Sequence, residues 1–351
     1  MEIFKHMHPS FKLNGIHFSA EALKEVSYSY IKEGEDFEKQ IGHFLLEWLD
    51  HNAFINLKTS GSTGKPKLIK MDKQAMVNSA IATGRFFNLS AGKSALLCLP
   101  SNYIAGKMML VRAMVLGLDL TLINPKIVLN INPKKEFDFC AMIPMQVEKN
   151  LNKLTNIKTL IVGGAAVSRQ LEEKIKPLNT HVYATYGMTE TVSHIALKKL
   201  NHTRKKAFYK LLPNISIKQD DRECLIINAP KLTKKEIITN DIVKLHSNKT
   251  FEWLGRFDNV INSGGIKLIP EPIEAKLQQH ISERFFIASL PDDHLGEKLV
   301  LIIEGNEKSL PKSTFKQLDK LQQPKEIFFV DKFIETNSGK VQREQTLKLI
   351  N

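Results

Sequence analysis

Between residues 53 and 187, short apolar runs alternate with stretches of helical periodicity, and this alternation constrains the fold more than any other feature of the chain. The runs at 53–57, 95–99, 119–123, 139–143, 159–162 and 182–186 are too short for helices and too apolar for loops, so they read as buried strands. Residues 36–49 carry apolar side chains at helical spacing and predict an amphipathic helix. Residues 72–87, opened by Asp72 as an N-cap, and residues 105–116 predict two more. Pro100 ends the 95–99 run, and Ser168 is placed to cap a helix just after Gly163-Gly164-Ala165. Strands alternating with helices imply parallel or mixed sheets, with binding sites at the carboxyl ends of the strands.

The texture changes after about residue 200. Segments 215–218, 223–228, 242–245 and 250–254 are short and alternating, which predicts a β-rich subdomain. From Gly255 onward the pattern reads hairpin (260–269), helix (271–280), strands (285–289 and 298–303), helix (310–321) and strand (326–330). A chain of 351 residues exceeds the roughly 250–300 at which a single core stops growing, so two domains are expected, 1–255 and 256–351.

Composition narrows the function. The formal charge of +13, from 50 Lys+Arg against 37 Asp+Glu, fits a protein that handles anions. The basic residues are dispersed, with no basic arm or interleaved aromatic stripe, so nucleic acid is not the expected partner. Cys98, Cys140 and Cys224 lack C-x-x-C spacing, which supports neither a disulfide framework nor a zinc site. The most apolar window, 108–123, is interrupted by Arg112 and Asp119, so membrane insertion is not expected. The N-terminus lacks an apolar signal core, and the expected location is the cytoplasm.

Several loops carry chemistry. Residues 58–67, Lys-Thr-Ser-Gly-Ser-Thr-Gly-Lys-Pro-Lys, combine glycines, hydroxyls and lysines. Glycine lets backbone N–H groups approach an oxyanion, so this loop suits polyphosphate, though a solvated hairpin loop has the same composition. It is not the G-x-x-x-x-G-K-[ST] phosphate loop. Residues 183–190, Tyr-Ala-Thr-Tyr-Gly-Met-Thr-Glu, bring an aromatic, a glycine, a hydroxyl and a carboxylate to a strand end. The carboxylate can hold Mg²⁺ beside phosphates or simply cap a turn. Lys340, in Asn337-Ser-Gly-Lys-Val-Gln-Arg343, can reach into an anionic site or stay solvated.

Together, and in this order along the chain, these segments resemble the adenylate-forming superfamily of acyl-CoA synthetases, luciferases and adenylation domains. Residues 59–67 are similar to its [ST]-S-G-[ST]-[ST]-G-x-P-K loop. Tyr186-Gly187-Met188-Thr189-Glu190 matches Y-G-x-T-E, Asp241 its T-G-D aspartate, Gly255-Arg256-Phe257-Asp258 its hinge motif, and 337–343 its terminal [NST]-G-K-x-x-R. The resemblance implies an α/β fold: a large N-terminal domain of mixed sheets plus a β-rich subdomain, and a small mobile α+β C-terminal domain. It also implies an ATP-, Mg²⁺- and coenzyme A-dependent acid–thiol ligase.

The roles follow by the same resemblance. Thr59, Ser60, Gly61, Ser62, Thr63, Gly64 and Lys67 would hold the β,γ-phosphates. Gly163, Gly164, Ala165, Tyr186 and Gly187 would flank adenine, and Asp241 and Arg256 would bind ribose. Thr189 would contact the α-phosphate, Glu190 would hold Mg²⁺, Lys340 would bridge carboxylate and α-phosphate, and Asp258 would be the hinge.

Three departures stand out. Asn240 replaces the glycine of T-G-D, and Tyr103 stands where histidine is common in L-P-x-x-H-x-x-G. Only 58 residues precede Thr59, so part of the first subdomain is expected to be missing. Within the superfamily the nearest likeness is to the o-succinylbenzoate–CoA ligase family of menaquinone synthesis, whose acid carries two carboxylates. Lys107, Arg112 and His194 are candidates for the second carboxylate, and Tyr103, Ser263 and Gly264 for the rest of the acyl pocket. Another small aryl- or acyl-CoA ligase, and a non-catalytic nucleotide-binding homologue, remain alternatives. A small carboxylic acid and coenzyme A are the expected partners, and a homodimer is one option for the assembly.

Overall fold

Capping side chains set the helices where the pattern predicts them. In the computed structural model, which describes residues 7–58, 68–336 and 341–350, Asp72 accepts the Ala75 backbone N–H at 3.1 Å and opens the helix Lys73–Phe87. Ser168 likewise accepts the Leu171 N–H at 3.2 Å and opens Arg169–Ile175. Each cap satisfies one of the donors a helix start leaves free. The amphipathic helix occupies Asp36–Leu49, as the spacing predicts, and packs on Ala20–Glu33, a helix the sequence pattern does not announce.

Five of the six predicted strands lie side by side and parallel, in the spatial order Asp119–Leu122, Ser94–Leu97, Phe137–Met142, Ile157–Val162, His181–Gly187. The 53–57 run instead forms Phe54–Lys58, which pairs antiparallel with Leu68–Asp72 in a separate two-stranded sheet. Alternate residues point to opposite faces. Leu97, Phe139, Ala141 and Ile161 join the core beneath helices Lys73–Phe87 and Ile104–Leu116. Leu96, Cys98, Cys140, Leu160 and Val162 join a second core beneath Arg169–Ile175.

The β-rich region after residue 200 departs from expectation, because it is not a separate sheet. His194–Lys199 pairs antiparallel with His181–Gly187, and Tyr209–Leu211 follows. Through these two strands, Thr250–Arg256, Ile237–Ser247, Cys224–Asn228 and Ser216–Gln219 extend the same sheet, which has 13 strands among the described residues.

Residues 261–350 form a smaller sheet around the long antiparallel pair Phe285–Asp292 and Gly296–Glu304, joined in parallel by Glu326–Val330. Helix Pro270–Leu277 packs on one face. The helix predicted at 310–321 does not form. Two short 3₁₀ turns, Lys312–Phe315 and Lys320–Gln322, stand there instead. Only Thr314 and Leu318 of that stretch are buried, too narrow a face to hold an α-helix against the core.

Cys98 and Cys140, distant in sequence, place their sulfurs 3.7 Å apart as free, buried thiols. Among the described residues no helix is long and apolar enough to cross a membrane.

Candidate active site

A cavity of about 230 Å³ opens at the carboxyl ends of the parallel strands. The chain turns out of the sheet there at Leu99, Ile143, Gly163 and Gly187, all of which line it. Both glycines are required by close packing. A Cβ on Gly163 would sit 2.3 Å from Thr185 Oγ1, and one on Gly187 would sit 2.4 Å from the Ser193 carbonyl oxygen. The turns are therefore wedged against neighbouring strands, which gives the cavity a fixed wall.

One side of the cavity is built by the helix Ile104–Leu116. Its sequence is apolar all round, and residues 106–114 are buried without interruption. A helix of that kind lies in the interior, so its one arginine is carried inside with it. Arg112 is 2% exposed and lines the cavity. Its Nη2 donates to Ser193 Oγ at 2.9 Å and its Nε to Thr83 Oγ1 at 3.4 Å, and Nη2 lies 3.4 Å from His194 Nδ1. No carboxylate contacts it among the described residues. Burial alone pushes the guanidinium down to about 10, so it remains charged at neutral pH. A buried charge without a counter-charge is costly unless a ligand supplies one.

His194, which also lines the cavity, is 5% exposed. Burial, reinforced by Arg112, holds its imidazole well below the usual value, so the ring is neutral.

Thr189 lines the same cavity, and Glu190 follows it on an exposed 3₁₀ turn. Glu190 makes no hydrogen bond or ion pair among the described residues. Nor does any group of three or more His, Cys, Asp or Glu converge there among them. A divalent cation here would rest on one free carboxylate and on phosphate oxygens, which suits Mg²⁺.

Tyr186 follows Thr185 on the same strand, and so faces away from the cavity. Its hydroxyl donates to Asp241 Oδ2 at 2.7 Å, while Trp253 Nε1 donates to Asp241 Oδ1 at 3.1 Å. Burial first, then the Asp241 carboxylate, pushes the Tyr186 phenol strongly up. Arg256 spans Asp241 at 3.7 Å and Asp258 at 2.6 Å. Asn240 donates from Nδ2 to Asp258 Oδ1 at 2.9 Å. Tyr186, Asp241, Arg256 and Asp258 thus form a second cluster, which does not line the cavity.

Other candidates lie elsewhere, so the expected acyl pocket is only half assembled. Lys107 is buried 4.6 Å from the Phe44 ring centre and 3.9 Å from Glu47, turned away from Arg112 along the helix. Tyr103, 41% exposed at the helix start, borders a separate open groove with Phe37 and Asn124. Ser263 and Gly264 turn a hairpin in the smaller sheet, where Gly264 donates its N–H to the Leu295 carbonyl at 2.8 Å. Ala165 is exposed beyond Gly164. Thr59, Ser60, Gly61, Ser62, Thr63, Gly64, Lys67 and Lys340 lie outside the described residues. Sequence reasoning missed Thr83, Ser193 and Trp253. Ser193 is adjacent to His194, but neither Thr83 nor Trp253 carries a local signal.

A family model described as AMP-binding enzyme matches residues 24–227. A 2-succinylbenzoate–CoA ligase from Listeria monocytogenes serovar 1/2a is 25% identical over 355 residues, covering 91% of this chain and 74% of that protein. Among solved structures, an acyl-CoA synthetase (AMP-forming)/AMP-acid ligase II-like protein from Dyadobacter fermentans is 35% identical, with a TM-score of 0.62 over 93% of this chain and 98% of that one. The O-succinylbenzoate coenzyme A synthetase (MenE) of Bacillus subtilis, in complex with ATP and magnesium ion, is 20% identical, with a TM-score of 0.72 over 83% of this chain and 69% of that one. At that identity the likeness is one of fold.

Proposed function

We propose, from the premise that this chain belongs to the AMP-binding enzyme family, that it converts 2-succinylbenzoate to 2-succinylbenzoyl-CoA. The chain is an AMP-forming acid–thiol ligase; the acid is the inference. It rests on one observation, Arg112: a charged guanidinium buried at the cavity wall with no carboxylate beside it among the described residues. An acid with two carboxylates fits such a site. One would be activated near Thr189, and the other would pair with Arg112 in a charge-assisted contact.

The chemistry needs two displacements. A carboxylate oxygen attacks the α-phosphorus of ATP, an acyl-adenylate forms, and the bond to the β-phosphate breaks to release pyrophosphate. The thiol sulfur of CoA then attacks the acyl carbon and loses its proton, the thioester forms, and AMP leaves. Thr189 would donate to the α-phosphate, and Glu190 would hold Mg²⁺. The loop 59–67 would bind the β,γ-phosphates, and Gly163, Gly164 and Ala165 would border the adenine. Bound Mg²⁺ supplies charge neutralisation to the phosphates. Asp241 and Arg256 would take the ribose hydroxyls with the acceptor sites and N–H donors left beside their bonds to Tyr186, Trp253 and Asp258. Lys340 would neutralise charge in the first step and withdraw for the second, as residues 256–351 turn about Asp258.

Pyrophosphate release with a panel of acids, with and without CoA, tests this. The expected result is ATP-dependent release with 2-succinylbenzoate and thioester formation only when CoA is present. Preference for benzoate would overturn the acid assignment. Absence of release with every acid would overturn the activity.

A further inference from the structure

Arg112 sits in a closed ring of polar groups. Thr83 Oγ1 donates its one proton to the Ser79 carbonyl at 3.0 Å, one turn back on its own helix. It therefore only accepts from its other neighbours, Arg112 Nε at 3.4 Å and His194 Nε2 at 3.3 Å. With that proton committed to Ser79, the tautomer that satisfies both contacts has the proton on His194 Nε2 and a lone pair on Nδ1. That lone pair faces Arg112 Nη2 and Ser193 Oγ, each at 3.4 Å. The charged groups around the ring are Arg112 on the cavity side and Lys231 across a smaller cavity behind it, which Ser79 and Asn78 also line.

We propose that His194 is a positioning residue: an uncharged acceptor that aims the Arg112 guanidinium into the cavity and so sets the enzyme's preference for a dicarboxylic over a monocarboxylic acid. The proposal rests on the reading that Arg112 receives the second carboxylate. A carboxylate at position 194 would orient the arginine equally well but would cancel its charge. A neutral imidazole offers a lone pair and leaves the positive charge for the ligand. It also donates to Thr83 on its far side, so the ring cannot rotate without breaking two contacts.

The test compares kcat/KM for 2-succinylbenzoate and benzoate in three variants. His194→Gln retains an acceptor and a donor, and its diacid-to-monoacid ratio should stay within roughly threefold of the unaltered enzyme. His194→Leu should lower the ratio roughly tenfold or more, the scale of one hydrogen bond to a charged group, mainly through the diacid KM. His194→Glu should lower it further, because the new carboxylate occupies Arg112. An unchanged ratio in His194→Leu, or an equal loss in His194→Gln, would overturn the proposal.

A spectroscopic arm uses the unaltered chain and so stands even if His194→Leu fails to fold. The imidazole ¹⁵N shifts of His194, assigned by comparison with His194→Gln, should show the Nε2–H neutral tautomer from pH 5 to 8, below and above an ordinary histidine's titration at about 6.5. A ring that titrates in that range, or carries its proton on Nδ1, would overturn the proposal. If the unaltered enzyme does not prefer the diacid, the substrate reading fails. The ¹⁵N result then still decides the role of His194 toward Arg112.

Discussion

Two arginines in this molecule are held in opposite ways. Arg343, in the smaller sheet, makes a two-pronged pair with Glu274, both contacts at 2.9 Å, and also donates to the Ile287 carbonyl at 3.3 Å. Glu274 in turn accepts the Ile287 N–H at 2.8 Å. Burial raises the Glu274 carboxyl, and Arg343 draws it back. That region is electrically closed, and the pair ties helix Pro270–Leu277 to the strand behind it. Arg112 is more deeply buried, and among the described residues its side-chain partners are hydroxyls, a thioether and a neutral imidazole. That region is open by one negative charge. A closed pair is architecture, whereas a buried cation left open beside a cavity is the feature on which the proposed carboxylate site rests.

The contrast makes separable predictions. Arg343→Met strands Glu274 and should cost about 2–3 kcal/mol in denaturant unfolding, below the ~3–5 of a fully buried pair because Arg343 keeps some exposure. Arg112→Met should do the reverse. It removes an uncompensated charge, so its Tm should equal or exceed that of the unaltered chain. A large fall in Tm on Arg112→Met would mean that Arg112 is structural, and the contrast would fail.

The third effect depends on pH. His194 is neutral in the folded chain at pH values where an unfolded histidine binds a proton. The unfolded state therefore takes up more protons below about 6.5, and stability should fall as pH drops through that value, by at most ~1.4 kcal/mol per unit. In thermal melts from pH 5 to 8, His194→Gln should flatten that slope, and an identical slope would sink the assignment. A further effect belongs to the second cluster. Tyr186→Phe removes the hydroxyl that donates to Asp241 and should cost about 1.5 kcal/mol, read by denaturant unfolding.

Much of the scaffold was legible because local chemistry announced it. Asp72 and Ser168 cap the helices they were expected to cap, and the short apolar runs from residue 95 onward are the parallel strands, while the 53–57 run forms an antiparallel pair with Leu68–Asp72. The pattern failed where a segment's partners are distant. Helix Ala20–Glu33 buries only Leu23 and Ser27, too few positions for a periodic signal. Residues 310–321 have the spacing of a helix but bury only Thr314 and Leu318, too narrow a face to hold one. The antiparallel extension depends on His194–Lys199, whose pairing with His181–Gly187 no local rule foretells. The site divides in the same way. Arg112 and His194 could be named from sequence as candidates, and the cavity gathers them. What makes them informative, the missing carboxylate and the proton direction fixed by Thr83, exists only in three dimensions. Lys107, five positions earlier on the same helix, was an equal candidate by sequence but turns to Glu47 and Phe44.

In the function proposed above, the open charge at Arg112 selects the acid. The most direct measurement is pyrophosphate release with 2-succinylbenzoate and with benzoate, by the unaltered chain and by Arg112→Met. Arg112→Met should lower kcat/KM for the diacid roughly a hundredfold, the scale of a desolvated charge pair, while benzoate turnover changes far less. Equal loss with both acids, or no loss with the diacid, would contradict it.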